Sequence, residues 1–357
     1  MTEIEKIIKK NITTNGTISI EEYMTIALYH PKYGYYTKSN IIGKKGDFIT
    51  SPEISQVFGE LIATWLIFNS TNFFKYNFNF LELGPGRAVL IQDILRTIKS
   101  LNSKLYNKIK HIYFLEKSKT LSSYLKRINK SKIILDINQI EKKETFILAN
   151  EFFDAIPVNQ YIKIGKFWHE RRVCLDDRSK FSFIMSKSPV TKKIPFPSTA
   201  KEGFVFEYSN YTSLLLSQIF EKINNYGGAF LIIDYAKSFD YGKNTLSFIY
   251  KHTHVNPFYC PGSTDISSKP DFTLIKSLAI QANCKVLGPF SQKFFLTKLG
   301  IEIRFEKLIK SNPNLSSSLL ASKKRLIDEE YMGEIFKVLI ITYKNNKDFI
   351  FDNYAGI

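Results

Sequence analysis

Phe80-Leu81-Glu82-Leu83-Gly84-Pro85-Gly86-Arg87 runs an apolar segment with a single acid into two glycines, and a helical pattern starts near Ala88. A buried strand that turns sharply into a helix reads this way. Lacking Cβ atoms, Gly84 and Gly86 let the backbone come close to a ligand, and the helix N-terminus beyond them offers unpaired N–H groups. An ordinary tight strand-to-helix turn would use the same residues, so the stretch alone speaks for a fold more than for a ligand.

Working outward, the rhythm from about residue 78 is one of short apolar runs separated by helical patterns. Candidate strands lie at 79–83, 111–115, 132–135, 145–149 and 229–233, and the run at 335–341 supplies a last one. Apolar strands alternating with helices predict an α/β fold, a mostly parallel, doubly wound, Rossmann-like sheet covered on both faces. The segment Tyr161-Ile162-Lys163-Ile164-Gly165-Lys166-Phe167-Trp168-His169-Glu170-Arg171 reads as an inserted hairpin, followed by another strand-like run near Phe181. Before the core, Ile4, Ile7, Ile8 and Ile12 recur at helical spacing, and Ser19 with Glu21 and Glu22 reads as a helix cap. The expected organisation is an N-terminal helical and lid segment over 1–75 and a core over 76–249 with the hairpin near 158–186. A substrate-side helical and loop insertion follows over 250–330, and a strand over 331–357 completes the core.

Ligands in such sheets sit at the carboxyl ends of the strands, so the polar residues there are the site candidates. A dinucleotide site would continue the turn as G-x-G-x-x-G and seat a pyrophosphate. Here the third position is Val89, and Glu82 stands directly before the turn. A carboxylate repels a pyrophosphate but suits a phosphate-free ligand with a cationic amino group, such as S-adenosylmethionine (SAM). Glu82, Gly84, Pro85 and Gly86 are therefore expected to hold it. Glu116 ends the next strand, where a carboxylate can grip both ribose hydroxyls or stay a solvated charge. In Asn150-Glu151-Phe152-Phe153-Asp154-Ala155-Ile156-Pro157, at the end of the fourth strand, Glu151 is the candidate for gripping an acceptor. If that acceptor is a guanidinium, a carboxylate can bind it through two hydrogen bonds and favour loss of its proton. Asp154 is the second catalytic candidate, with capping of a short turn as its other reading.

The loop Gly43-Lys44-Lys45-Gly46-Asp47-Phe48-Ile49-Thr50-Ser51-Pro52-Glu53 aims at a helix start. Ser51 reads as its cap, Pro52 as its first position and Glu53 as an acid facing its dipole. Asp47, Phe48 and Ser51 are expected to fold over the cofactor as a lid, with Asn150 beneath. Asp234, ending the strand at 229–233, is expected to face the acceptor or core polar groups, and His252 to contact the substrate or to serve a structural role.

Composition excludes several alternatives. The 357 residues, 44% hydrophobic and 23% charged, are those of a globular protein, and no run reaches the roughly 18–20 apolar residues of a membrane span. Three separated cysteines and five histidines give no disulfide framework and no zinc pattern, so no metal is expected. Glu3 and Glu5 near the N-terminus, with no apolar or Arg-rich leader, give the expectation that the mature chain begins here and is cytoplasmic, with the mitochondrial matrix as the alternative. The formal charge of +17 is mostly lysine spread along the chain, which reads either as a compositional bias or as a functional basic face.

The ordered motifs resemble the MidA-type methyltransferases over nearly the whole chain. The resemblance rests on Gly46-Asp47-Phe48-Ile49-Thr50-Ser51-Pro52-Glu53-Ile54-Ser55, Phe58-Gly59-Glu60, Glu82-Leu83-Gly84-Pro85-Gly86-Arg87 and Asn150-Glu151-Phe152-Phe153-Asp154-Ala155-Ile156-Pro157-Val158. Further carriers are Trp168-His169-Glu170-Arg171, Ile233-Asp234-Tyr235, His252, Pro261-Gly262, Asp265 and Met332-Gly333-Glu334-Ile335-Phe336-Lys337. It implies a class I SAM-dependent fold and symmetric dimethylation of an arginine in a partner protein, an activity tied in that family to respiratory complex I assembly. The family's turn usually carries a further glycine after the arginine; Ala88 stands there, read as a small residue opening the helix with little crowding. A scaffold that binds SAM without turning it over and an RNA methyltransferase are the rival readings, and a homodimer is left open.

Overall fold

The computed structural model describes residues 1–37, 50–236 and 241–346. Its centre is a seven-stranded sheet made of β1 (Phe78–Leu83), β2 (Ile109–Leu115), β3 (Ser131–Ile134), β4 (Thr145–Asn150), β5 (Gly228–Tyr235), β6 (Cys284–Ser291) and β7 (Phe336–Tyr343). The order across the sheet is β6-β7-β5-β4-β1-β2-β3. The five strands from β5 to β3 are parallel. Only β7 runs against them, antiparallel to both β5 and β6.

The strands sit centrally because their side chains are apolar on both faces, which allows helices to cover both. Every residue of β1 is buried. Phe80 and Phe146 point into one layer with Phe58, Trp65, Ile91 and Phe295, whereas Leu81 and Ile147 point into the opposite layer with Ile219, Phe230 and Ile275. On the first face, α4 (Gln56–Phe73) crosses α5 (Val89–Leu101) at Gly59, where a Cβ would come within 2.7 Å of the Asp93 Cβ. Glu60, on the same helix, pairs with Arg304 at 2.7 Å and ties α4 to the helix Ile301–Ser311.

A smaller antiparallel sheet stands beside the core, with strands Ile18–Ser19, Phe167–Leu175, Asn159–Ile164 and Val205–Tyr208 in that order and Phe181–Met185 on the side of the second. The expected hairpin is there, as the middle of a five-stranded sheet. The N-terminal helices α1 (Glu3–Asn15) and α2 (Ile20–Tyr29), each opened by a capping box, bury Ile4, Ile8, Met24 and Leu28 against Val173 of this sheet. Residues 1–75 are therefore two things: α1 and α2 pack on the small sheet, while α4 belongs to the main core. The 250–330 segment also differs from expectation. The strands Ser247–Tyr250, Thr253–His254 and Asp265–Ser267 form a third small sheet, and β6 lies inside the segment as an edge of the main one. The helical insertion proper runs between β6 and β7, from the helix Gln292–Lys298 to Met332–Ile335.

Candidate active site

The sheet order reverses between β1 and β4, which opens a crevice at their carboxyl ends. The glycine turn leaves β1 on one side of it. Gly84, Gly86 and Ala88 have φ of 60°, 55° and 64°, so alternate residues of the turn are left-handed. The Gly84 N–H donates to the Leu115 carbonyl at 3.1 Å, and the Ala88 N–H to the Pro85 carbonyl at 2.8 Å. Ala88 does not open the helix as a helical residue; it is the N-cap of α5, with ψ 25°, and is buried. The reading of a good helix former is corrected by this geometry. A left-handed alanine costs roughly 1–2 kcal/mol, which the glycine usual at this place avoids.

Glu82 lies beneath the turn, 3% exposed, and its Oε2 has no hydrogen-bond partner. Burial alone pushes its pKa up to about 8. On the far side of β1, Glu116 follows β2, half-buried, and accepts the Ser118 N–H at 2.6 Å. Desolvation raises its pKa to about 7 against the pull of that bond. After β4 the chain turns sharply: Glu151 has φ 50°, and its N–H reaches the Ile233 carbonyl at 2.9 Å. Its Oε1 accepts the Ser51 N–H at 2.9 Å and the Asn150 Nδ2 at 3.1 Å. Desolvation lifts Glu151 to about 7 and Asp154 to about 6. Pro85 is part of the same turn, and Asn150 presents a buried Oδ1 with no partner.

Two orphaned buried acceptors, Glu82 Oε2 and Asn150 Oδ1, therefore flank a glycine turn. Each costs on the order of 1–3 kcal/mol until a donor reaches it. A ligand ammonium supplies such donors, and its charge stabilises the ionised form of Glu82. The residues present fit SAM.

The comparisons with known proteins decide what this arrangement is. A family described as "Putative S-adenosyl-L-methionine-dependent methyltransferase" matches residues 61–290, well over half of the chain. The chain belongs to this methyltransferase family. The MidA-type resemblance read from the motifs agrees with it. The methyltransferase is 33% identical over 359 residues to the Homo sapiens protein arginine methyltransferase NDUFAF7, mitochondrial, covering 91% of this chain and 80% of that one. It is 32% identical over 355 residues to the Rattus norvegicus protein of the same name, covering 91% and 81%. A solved structure from Burkholderia thailandensis, a superfamily member bound to S-adenosylhomocysteine, shares the fold with a TM-score of 0.83 at 24% identity, over 99% of this chain and 94% of that one.

Against this enzyme, the sequence-based placements divide. Glu82, Gly84, Pro85, Gly86, Glu116, Asn150, Glu151, Asp154 and Ser51 gather around the crevice. Asp47 and Phe48 lie outside the described residues. Asp234 is corrected: it is fully buried, and its carboxylate accepts the N–H groups of Phe152 at 3.1 Å, Phe153 at 2.9 Å and Tyr235 at 2.8 Å. It holds the Glu151 loop in shape and has no face toward an acceptor. Desolvation, then the charge of Asp154, drives its pKa well above the usual carboxylate range. His252 is exposed with φ 62°, in the turn between Ser247–Tyr250 and Thr253–His254, and no hydrogen bond among the described residues ties it to the carboxylates. Ser51 is the first residue of α3 (Ser51–Ile54), not its cap; Thr50 takes that place without a side-chain bond. Among the described residues, no group of three or more His, Cys, Asp or Glu is placed to hold a metal, and no helix is long and apolar enough to cross a membrane.

Sequence reasoning missed the aromatic wall of the site. Tyr29 and Tyr36 stack with centroids 5.2 Å apart; the Tyr29 hydroxyl donates to the Ala155 carbonyl at 2.8 Å and that of Tyr36 to Asp265 at 3.3 Å. Desolvation first, and then the Asp265 charge, pushes both phenols well above their ordinary pKa. The Tyr36 carbonyl also accepts the Ser118 hydroxyl at 3.2 Å, beside Glu116. The tyrosine-rich run 33–36 was the available signal.

Raised carboxyl pKa values make a testable demand on stability. Glu82, Glu116 and Glu151 bind their protons more tightly in the folded chain than at their ordinary 4.5. Between about pH 5 and 8 the folded state thus holds more protons than the unfolded one, and stability falls as pH rises. The melting temperature of the cofactor-free protein should decline across that window, and SAM should flatten the decline by favouring ionised Glu82. A cofactor-free melting temperature that climbs with pH would contradict these assignments.

Proposed function

We propose that this SAM-dependent methyltransferase methylates arginine side chains of a partner protein. The observation that carries the reading is the acidic crevice end formed by Glu151 and Asp154, half-buried and without a facing cation within hydrogen-bond reach among the described residues. A guanidinium offers five N–H donors in a planar fork and complements such a pair. Relatives named protein arginine methyltransferases, aligned over nine-tenths of the chain, support the same acceptor.

Glu82, Glu116, Asn150 and the Gly84–Gly86 backbone would hold the cofactor, which supplies an electrophilic methyl group on sulfur. Glu151 orients one guanidinium nitrogen and takes up the proton that N-methylation releases. A base with a pKa of about 7 is matched to that task at neutral pH. Asp154, beside it, adds negative charge that favours a cation over a neutral amide. Tyr29 and Tyr36 wall the site and exclude water.

Symmetric dimethylation and a link to respiratory complex I carry over from the resemblance as part of the proposal; the cytoplasm is proposed as the location on the free, separated cysteines, with the mitochondrion of the named relatives as the alternative. Mass spectrometry of methylarginine in cells with and without the protein tests it. The expected result is loss of dimethylarginine at a small set of protein sites. Unchanged arginine methylation with altered RNA methylation would overturn the reading.

A further inference from the structure

Between the glycine turn and Glu151 stands a contact that neither end explains. The Arg87 guanidinium grips Glu53 of α3 with three hydrogen bonds, Nη2 to Oε1 and to Oε2, both at 2.6 Å, and Nε to Oε1 at 3.1 Å. The two residues are 34 positions apart, and the Glu53 side chain is only 11% exposed. A bidentate pair of this kind fixes orientation as well as distance. α3 has a single turn and no side-chain cap of its own, so its own hydrogen bonds do little to hold it. At its first residue, the Ser51 N–H points at Glu151 Oε1, 2.9 Å away, and the Ser51 hydroxyl leans on the Met332 sulfur at 3.7 Å.

We propose that Glu53 and Arg87 are positioning residues: their ion pair anchors α3 to the cofactor turn and so aims the Ser51 N–H at Glu151. The arm runs from Arg87, directly after Gly86, through one helical turn to the carboxylate that handles the acceptor. It rests on the acceptor reading of Glu151 only for its catalytic meaning; the mechanical link stands on the contacts themselves.

The titratable groups near Glu151 are Asp154 on its own loop and Asp234 and Tyr235 at the end of β5; after desolvation, the Asp154 charge disfavours ionised Glu151, while Tyr235 stays neutral where Glu151 titrates. The Ser51 N–H is foremost among the groups that favour the ionised form. If the Ser51 N–H is withdrawn while Glu151 stays buried, the Glu151 pKa rises. A contact that only stabilised the fold would leave this titration unmoved.

The experiment follows the Glu151 carboxyl by isotope-edited infrared titration of the full chain, using Glu151→Gln to assign the band. Glu53→Gln and Arg87→Met are each expected to raise its pKa by about one unit, and the charge-exchanged double variant E53R/R87E to bring it back toward the wild-type value. Ser51→Pro removes the N–H while suiting the first position of a helix, and is expected to give the same rise without touching the pair. Calorimetry with S-adenosylhomocysteine should show cofactor affinity largely kept in Glu53→Gln. Folded single variants in which Glu151 titrates as in wild type would overturn the proposal, as would a rise in Ser51→Pro alone. Should Glu151→Gln keep full methyl transfer, the acceptor reading fails and the titration result still decides the link.

Discussion

Glu151→Gln is expected to bind SAM as wild type does and to lose methyl transfer by on the order of 10²–10⁴-fold, the span assigned to a positioned base. The amide keeps the shape of the side chain and can still accept the Ser51 N–H, which in the wild type lies 2.9 Å from Oε1. What disappears is the charge that draws a guanidinium and the basicity that takes its proton. The substitution also removes a desolvated acid whose pKa is pushed up to about 7, so at pH 8 the variant should melt no lower than wild type. Calorimetry for the cofactor and single-turnover transfer from bound SAM separate the two properties. Lost SAM affinity with intact transfer would move Glu151 out of acceptor handling and into the cofactor site.

Gly84→Ala carries the second large effect, on the opposite property. Gly84 has φ 60°, where an added Cβ costs roughly 1–2 kcal/mol. That Cβ would also stand 2.7 Å from Cδ2 of Phe152. Neither side yields easily: the Gly84 N–H is bound to the Leu115 carbonyl and the Phe152 N–H to Asp234. The free variant can relax by shifting the turn, and binding must then restore it. With each ~1.4 kcal/mol worth a tenfold change, SAM affinity should fall by about 100-fold. Adding Phe152→Ala should recover the part due to the collision and leave the part due to backbone strain. Unchanged calorimetric affinity in Gly84→Ala would mean that the turn does not seat the cofactor.

The legible part of the fold was what repeats in one dimension. β1, β4 and β5 are nearly continuous apolar runs because both faces are buried, and such runs announce themselves. β6 did not, since Lys285 and Gly288-Pro289 interrupt Cys284–Ser291; the strand survives on an edge, with a register shift between Leu287 and Phe290 absorbing the pair. The strands of the third sheet are two to four residues long, too short for a period to show.

The site divides along a similar line. Glu116 and Glu151 could be placed at the crevice because each directly follows a strand, and Glu82 because it is the last residue but one of β1. Asp234 also stands at a strand end, but the choice between acceptor and core polar groups was not legible: the Phe152–Phe153 backbone folds over it, and a backbone donor leaves no trace in residue identity. The pairing of Glu53 with Arg87 and the stacking of Tyr29 on Tyr36 were invisible for a related reason. Each needs two segments whose approach is set by the packing of α2 and α4, not by any local pattern.

The place of β7 reaches beyond chemistry. It is the last strand among the described residues, yet it lies between β5 and β6 and carries the hydrogen bonds of both. On the ribosome, everything up to residue 335 can emerge while two unpaired strand edges still wait for Phe336–Tyr343. Those edges are templates for pairing with other chains. Synthesis therefore leaves the sheet split until β7 arrives, and a chain cut short before that strand would be exposed to aggregation rather than merely inactive.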